Sequence, residues 1–449
     1  MHRLRLAALL LLAVALPAAA QTLARPGMTN FGQNSDPWWR RAVFYQVSSS
    51  PANPPGGSPA EQLRLQQTAD FKSIAARLDA LRSLGVDALV VPMPPLPSSL
   101  EPDPALDDFD ELIHQASRRG IRVLATFPAP SATADLPAIA RFWLSRGVAG
   151  FHILTPPGTS PQFAEVIVQT LRKITSSAVG QRIVLSDFDP NASATPVPLP
   201  ASRQSSRTAS TRRASRSGDP LNAQLQVDSE FSHLDLPNAE NLRLLLTKSL
   251  VNQNILLDFR QPTPPPGSPD PYPALARAIS AIQLTTHPAA LIDASPSLVL
   301  QPDATPIPDV APQPAAARTL AVNRPAATSL PAAPPAPTLA DWIGKLSALH
   351  HGNATVRYGS VNVLDFDAQN ALVWIIRPAT NSALTPPVVV ACNLSSSPLR
   401  LSLTSAVHSL NLRGSFLLTL LRSDQAMGPQ DLDAVTLPPF AVYIGELHR

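Results

Sequence analysis

The stretch FKSIAARLDALRSLGVDALVVPMP, residues 71–94, carries the clearest sign of how this chain folds. Its first half places apolar residues at the i, i+3, i+4 and i+7 positions of an amphipathic helix. Gly85 then marks the end of the helix, and a continuous apolar run follows from Ala88 to Val91. A helix followed at once by a fully apolar strand predicts a parallel sheet that is covered by helices.

The same pattern of helix, turn and apolar strand recurs along the next hundred residues. Its further copies are LDDFDELIHQASRRGIRVLATFPAP (106–130), IARFWLSRGVAGFHIL (139–154) and FAEVIVQTLRKITSSAVGQRIVLSDFD (163–189). An additional strand precedes them at Ala42–Val47, and three candidates follow at Gln224–Val227, Ile255–Asp258 and Ala289–Ile292. Eight strands predict an α/β fold with a closed (β/α)8 TIM-type barrel over residues 36–300. A doubly wound open sheet is the alternative, but no Gly-rich phosphate loop follows any strand.

A second, all-β region is predicted after the barrel. Residues 339–355 form an amphipathic helix that completes the barrel, beginning with LADWIGKLSALHHG. From residue 356 to 449 the chain consists of short β-rich runs, such as ALVWIIRP, PVVVACNLS, LRLSLTS and AVTLPPFAVYIGEL. These runs predict a C-terminal antiparallel β-sandwich domain.

Two segments are of low complexity, and proline is frequent at 51 residues against 18 glycines. Residues 200–220 are rich in serine and arginine but hold no aromatic residue, which favours a disordered loop over a nucleic-acid-binding segment. Residues 301–338 are rich in proline and alanine and are interpreted as a linker or a long loop.

The N-terminus, MHRLRLAALLLLAVALPAAAQ, has the three parts of a secretory signal peptide, with cleavage expected after Ala20. No later segment is long and apolar enough to span a bilayer, so we expect a secreted or periplasmic protein. The single cysteine, Cys392, lies in a strongly β-branched run and is predicted to be a buried, inert thiol. The sequence contains no cofactor motif and no cluster with metal-ligand spacing.

Several of these stretches resemble motifs of the α-amylase family, glycoside hydrolase family 13, nearest its α-glucosidase and trehalose-synthase-like branch. WWRRAVFYQV (38–47) resembles the family's first strand, and ARFWLSRGVAGFHI (140–153) resembles the approach to its nucleophile. AISAIQLTTHPAALIDAS (278–295) resembles the region of its eighth strand. The resemblance implies a barrel, an all-β C-terminal domain and activity on α-glycosidic bonds. The domain that the family inserts after its third strand is absent from this sequence.

The resemblance also implies that the family's catalytic pattern is degenerate here. Glycosidases need two carboxyl groups across the scissile bond. Aligning Gly150 and Phe151 with the family's G-F-R-x-D places His152 at the arginine and Leu154 at the nucleophilic aspartate. Leucine cannot attack a sugar or stabilise a cationic centre, so the site is predicted to lack its nucleophile.

Most of the remaining site positions also lack the residue that the family pattern has there. The positions of the third-strand motif, which helps to shape the sugar site, fall on Thr126, Pro128, Pro130 and Ser131. On the fifth strand Asp187 stands where the family has its acid/base glutamate, and its carboxyl group sits one methylene further back. Only the aspartate of the seventh-strand motif survives, as residue 258.

Each retained residue also has a purely structural interpretation. Asp187 can cap a turn, and Asp258 can pair with Arg260 at a strand end. His152 is interpreted as a packing residue at the top of the barrel, because the sequence shows no carboxylate to orient it. Asp187 and Asp258 therefore remain the two catalytic candidates.

Three functions stay open at this point. The first is a secreted, catalytically inactive glycoside-hydrolase-like protein that binds an α-glucan or another oligosaccharide. The second is an active α-glycoside hydrolase or transglycosylase that uses Asp187 and Asp258 in rearranged roles. The third is a scaffold or interaction protein unrelated to carbohydrate, because one barrel fold supports many functions.

Overall fold

The structure is a computed structural model that describes residues 36–47, 70–94, 104–128, 135–154, 160–187, 224–228, 231, 238–259, 272–293, 298, 338–365, 370–379 and 385–449. Residues 43–293 contribute eight strands to one sheet. They are β1 (Val43–Gln46), β2 (Ala88–Pro92), β3 (Arg122–Pro128), β4 (Gly150–Leu154), β5 (Ile183–Ser186), β6 (Leu225–Asp228), β7 (Ile255–Leu257) and β8 (Ala290–Asp293).

The strands follow the order β7-β6-β5-β4-β3-β2-β1-β8, and every hydrogen-bonded pair is parallel. β7 also adjoins β8, so the sheet curves into a nearly closed barrel. Helices alternate with the strands as the sequence predicts. They are α1 (Phe71–Ala75), α2 (Leu78–Ser83), α3 (Pro104–Arg118), α4 (Leu136–Ser145), α5 (Pro161–Ser177), α6 (Ala239–Ser249) and α7 (Tyr272–Thr285).

The inside of the barrel is packed with apolar side chains. Phe44, Val90, Leu124, Leu185 and Leu291 belong to this interior cluster, together with further buried apolar side chains of the same strands and of the positions just before them. Because side chains alternate across a strand, the next inward position on each strand lies one layer nearer the carboxyl ends. The layer above this apolar cluster is therefore the mouth of the barrel, where active sites of this fold lie.

The C-terminal region begins with two helices, α8 (Leu339–Gly352) and α9 (Ala354–Tyr358). Strands β9 (Ser360–Val363), β10 (Ala371–Arg377), β11 (Val388–Asn393), β13 (Phe416–Arg422), β14 (Pro429–Asp431) and β16 (Val442–His448) form one antiparallel sheet, and β12 (Leu399–Leu401) pairs with β15 (Val435–Leu437). A short helix, α10, spans Thr404–Ser409. The (β/α)8 barrel with a C-terminal antiparallel β domain is thus confirmed.

One face of the C-terminal sheet shares a hydrophobic core with the outer layer of the barrel. Trp374, Ile376 and Cys392 from this sheet belong to the same buried cluster as the barrel helices. The indole Nε1 of Trp374 donates a hydrogen bond of 3.2 Å to Oγ1 of Thr285 at the end of α7. The predicted burial of Cys392 is confirmed, and burial raises the pKa of its thiol well above the usual range.

Three local predictions differ from the structure. The helix expected over residues 339–355 ends at Gly352, because Asn353 is extended and its side chain caps α9 by accepting from two backbone amides. The run AVTLPPFAVYIGEL, expected to be one strand, is split into β15 and β16 around Pro438 and Pro439. The run LRLSLTS gives only the three residues of β12 before α10 begins.

Several predictions concern residues outside the described part of the chain. These are the signal peptide at 1–20, the Ser/Arg-rich segment at 200–220, the Pro/Ala-rich segment up to residue 337, and Ser131 and Arg260. Among the helices that the structure does describe, none combines the length and the apolar character that a membrane crossing requires.

Candidate functional site

The mouth of the barrel is lined by polar side chains that follow the apolar interior layer. On β1, Gln46 lies two residues beyond the interior Phe44, and on β8 Asp293 lies two residues beyond the interior Leu291. The other strands contribute in the same way. The polar residues that this alternation turns inward are Gln46, Thr126, His152, Asp187, Asp258 and Asp293.

His152 is the centre of a hydrogen-bonded chain that crosses three neighbouring strands. Its Nε2 atom lies 2.7 Å from Oδ1 of Asp187, and its Nδ1 atom lies 3.4 Å from Oγ1 of Thr126. The parallel register explains this contact, since Thr126 on β3 pairs with His152 on β4, and Asp187 directly follows β5. The side chain of His152 is only 1% exposed.

The partners of His152 fix the orientation of its ring. A carboxylate oxygen only accepts, so Nε2 donates its proton to Asp187. In the neutral ring Nδ1 is then an acceptor, and the hydroxyl of Thr126 is placed to donate to it. The expectation that no carboxylate orients His152 is therefore wrong, since that carboxylate is on the next strand.

Leu154 stands two residues beyond His152 on the same face of β4, at the last position of the strand. It is partly exposed, so its methyl groups reach the surface of the mouth. The structure thus puts an apolar side chain where the sequence resemblance places a nucleophilic carboxylate. No group of three or more metal-ligating side chains occurs within the described residues of the mouth or elsewhere in them.

Asp258, the other catalytic candidate, follows β7 and is 2% exposed. Strand β6 lies between β5 and β7, so the two candidate aspartates stand on strands separated by one other. Adjacent strands are about 4.8 Å apart, so the strand axes that carry Asp187 and Asp258 are roughly 10 Å apart. Asp187 is held toward β4, on the side away from β7.

Gln46 and Asp293 are residues of the mouth that the sequence reasoning did not single out. Both lie at the carboxyl ends of strands, and they are register partners in the β1–β8 pair. The signal for them was present, because alternation from Phe44 and Leu291 turns both side chains inward. Strand alternation, rather than the resemblance to family motifs, is the sequence signal that identifies these two positions.

Part of the chain is similar in sequence to a known protein. No family model matches the chain. The trehalose-6-phosphate hydrolase of Escherichia coli (strain K12) is 33% identical over 100 residues, and the match covers 19% of this chain and 17% of that protein. The match therefore spans about a sixth of the length of this curated relative.

Solved structures match over nearly the whole chain. Trehalose-6-phosphate hydrolase from Bacillus licheniformis aligns with a TM-score of 0.59 and 12% identity, over 92% of this chain and 100% of that one. An inactive double mutant of a trehalulose synthase, solved in complex with isomaltulose, aligns with a TM-score of 0.56, 13% identity and the same coverage. The resemblance to the α-amylase family is thereby confirmed at the level of the fold.

Proposed function

We propose that this protein is an exported glycoside-hydrolase-like protein that binds an oligosaccharide, such as an α-glucan, without cleaving it. The observation that carries the proposal is Leu154 at the end of β4. The side chain of leucine has no lone pair that could attack the anomeric carbon, and it carries no charge to stabilise an oxocarbenium-like transition state.

The state of Asp187 supports the absence of turnover. Glycoside hydrolysis needs a second carboxyl group that delivers a proton to the leaving oxygen. Asp187 instead accepts a hydrogen bond from Nε2 of His152, which holds it against β4. A displacement of about 1 Å at a reacting group can cost about 100-fold in rate. Among the described residues of β4, β5 and the position that follows β5, Asp187 is also the only carboxylate.

Binding of an oligosaccharide is supported by the polar groups that remain at the mouth. Thr126, Asp187 and Gln46 offer hydroxyl, carboxylate and amide groups to a ligand that both donates and accepts hydrogen bonds. Sugar hydroxyl groups do both. The isomaltulose complex of the structurally similar trehalulose synthase mutant supports the same class of ligand for this chain.

Export is proposed from the N-terminal sequence alone. The basic residues Arg3 and Arg5, the apolar run and the small residues before Gln21 form a cleavable signal. Expression of the full chain in a bacterium with a secretory pathway, followed by N-terminal sequencing of the exported product, tests this part. A mature N-terminus at Gln21 is expected, whereas an uncleaved product in the cytoplasm contradicts it.

The test of the central proposal uses purified protein of residues 21–449. Sugar release from starch, maltooligosaccharides, isomaltose and trehalose is measured beside the Asp187→Ala variant, and binding of the same oligosaccharides is measured by calorimetry. We expect binding without release above buffer. Release that disappears in Asp187→Ala would establish the active-hydrolase alternative, and the absence of all binding would contradict a carbohydrate role.

A further inference from the structure

The end of the barrel opposite the mouth holds a pair of arginines, Arg122 and Arg182. Arg122 is the first residue of β3, and Arg182 directly precedes β5. Because the strands are parallel, both residues lie at the end of the barrel where the strands begin. Arg122 shares its face of β3 with the interior Leu124, so its side chain is directed toward the opening of the barrel at this end.

Trp38 connects the starts of these two strands. It belongs to a short 3-10 helix, Trp38–Arg41, and packs against the apolar cluster inside the barrel. The guanidinium group of Arg122 lies 4.3 Å from the centroid of the Trp38 ring. Nε1 of Trp38 donates a hydrogen bond of 2.8 Å to the backbone oxygen of Gln181, the residue before Arg182. The segments that carry the two arginines therefore meet around one aromatic side chain.

The positive charge at this end of the barrel is only partly compensated. Nε of Arg182 is buried and has no hydrogen-bond partner among the described residues. Burial lowers the pKa of both guanidinium groups. The carboxylate of Asp87 raises the pKa of Arg122, and the charge of Arg182 lowers it. Asp87 also faces His351 and Arg357, so one carboxylate serves several cationic groups.

An anion would compensate for this excess of positive charge. A guanidinium group carries five N–H donors in a fixed plane and binds carboxylate or phosphate oxygens through two parallel hydrogen bonds. A phosphate group carries nearly two negative charges at pH 7 and three strong acceptor oxygens, which suit two neighbouring guanidinium groups better than one carboxylate does. Arg122 and Arg182 are both partly exposed, so a ligand can reach them from solvent.

We propose that Arg122 and Arg182 form a binding site for a phosphate group at the end of the barrel where the strands begin, with Trp38 positioning the guanidinium group of Arg122. The site goes beyond the proposed binding of an oligosaccharide, because it lies at the opposite end of the barrel from Leu154 and the mouth. Inorganic phosphate and the phosphate of a phospholipid headgroup share this chemistry, and the test distinguishes these two sources.

The test measures binding of inorganic phosphate to the purified protein by calorimetry, and its Tm with and without phosphate. We expect Arg182→Gln to weaken binding at least tenfold and to reduce the rise in Tm that phosphate causes. Without phosphate, the Tm of this variant should equal or exceed that of the wild type, because a partly buried charge has been removed.

Arg172→Gln on helix α5 is the matched control. Arg172 is also partly exposed, burial lowers its pKa, and its Nε is buried without a partner among the described residues. It lies on an outer helix rather than at the start of a strand, so its substitution should leave the affinity for phosphate unchanged. Equal weakening by Arg172→Gln and Arg182→Gln would assign the effect to overall charge and overturn the site.

Affinity for phosphate within twofold of the wild type in a folded Arg182→Gln variant also overturns the site. If Arg182→Gln does not fold, Arg182→Lys replaces it. Lysine keeps the charge but lacks the planar set of donors, so we expect binding at least threefold weaker than that of the wild type. Unchanged binding by Arg182→Lys then overturns the proposal.

Sedimentation with vesicles of phosphatidylcholine, with and without phosphatidylglycerol, identifies the source of the phosphate. Binding to the phosphatidylglycerol vesicles that is lost in Arg182→Gln supports a lipid headgroup. Binding of inorganic phosphate without binding to vesicles supports a small ligand. A wild-type protein that binds neither overturns the site and leaves the proposed binding of an oligosaccharide unaffected.

Discussion

Nε2 of His152 lies 2.7 Å from Oδ1 of Asp187, so the ends of β4 and β5 are joined by a side-chain hydrogen bond inside the barrel mouth. This contact gives Asp187 a structural role that does not depend on turnover. It also explains how a nearly fully buried histidine is satisfied at this position. The consequence for stability can be measured directly.

The first prediction compares two substitutions of Asp187. Asp187→Ala leaves the Nε2–H of His152 without its acceptor, and we expect a loss of about 1–3 kcal/mol in the free energy of unfolding. Asp187→Asn keeps an oxygen that can accept the same proton, so its loss should be smaller. Urea unfolding of the three proteins checks this. Equal losses in both variants would mean that the hydrogen bond contributes little.

The second prediction concerns Leu154. Restoring a carboxylate with Leu154→Asp should not produce sugar release, because Asp187 remains held by His152 and is shorter than the family's glutamate. Leu154→Asn has nearly the same shape without the charge and is the matched control. Both variants are incubated with maltooligosaccharides. Release by Leu154→Asp but not by Leu154→Asn would show that Asp187 can still act as the acid.

The third prediction is a dependence of stability on pH. Burial lowers the pKa of His287 and of His350 from 6.5 to about 4. At pH values between about 4 and 6.5, these two histidines take up protons in the unfolded chain but not in the folded chain. The free energy of unfolding therefore falls as the pH drops from about 6.5 toward 4, by roughly 3 kcal/mol for each histidine, and this stabilisation is fully present above about pH 6.5.

The urea concentration at the midpoint of unfolding, measured at pH 7.5 and at pH 5, tests this prediction. His350→Gln removes one of the two titrating groups, so the variant should lose less stability between the two pH values than the wild type does. His114→Gln changes an exposed histidine on helix α3 and should behave like the wild type. An identical pH dependence in all three proteins would contradict the prediction.

The fourth prediction compares two glycines that end helices with similar backbone angles. Gly85 has φ of +85° and Gly120 has φ of +79°, so alanine is strained by about 1–2 kcal/mol at either position. A Cβ atom at Gly85 would lie 2.6 Å from Cβ of Ser347 on α8, whereas no described atom lies within 4 Å at Gly120. Gly85→Ala should therefore be clearly the more destabilising change in urea unfolding. Equal effects would show that α8 shifts at little cost.

Much of the barrel could be predicted from the sequence because each strand is a short apolar run behind a helix and a turn. The predicted ends of the first and last strands differ from β1 and β8 by one residue. The C-terminal sheet was harder. Pro438 and Pro439 provide no backbone donors, and Phe440 has φ of +53°, so the run expected to be one strand cannot continue through them.

The candidate site could be predicted only in part. The position of one residue follows from the sequence, whereas its contact with a neighbouring strand does not. The inward position of His152 follows from strand alternation and from the quoted motif. Its partner Asp187 does not, because a contact between strands depends on the register of β4 with β5. Register is a property of the assembled sheet, so the hydrogen bond to His152 became visible only in three dimensions.

The hydrophobic core shared by the barrel helices and the C-terminal sheet has a consequence for how the chain can be divided. Trp374 of the C-terminal sheet donates a hydrogen bond to Thr285 of the barrel helix α7. The barrel and the C-terminal region therefore cover apolar surface that each would otherwise expose to water. We therefore expect two fragments, residues 21–300 and 338–449, to associate into a folded complex when they are produced as separate polypeptides in one cell. Each fragment produced alone should aggregate, because the surface that its counterpart covers would face solvent.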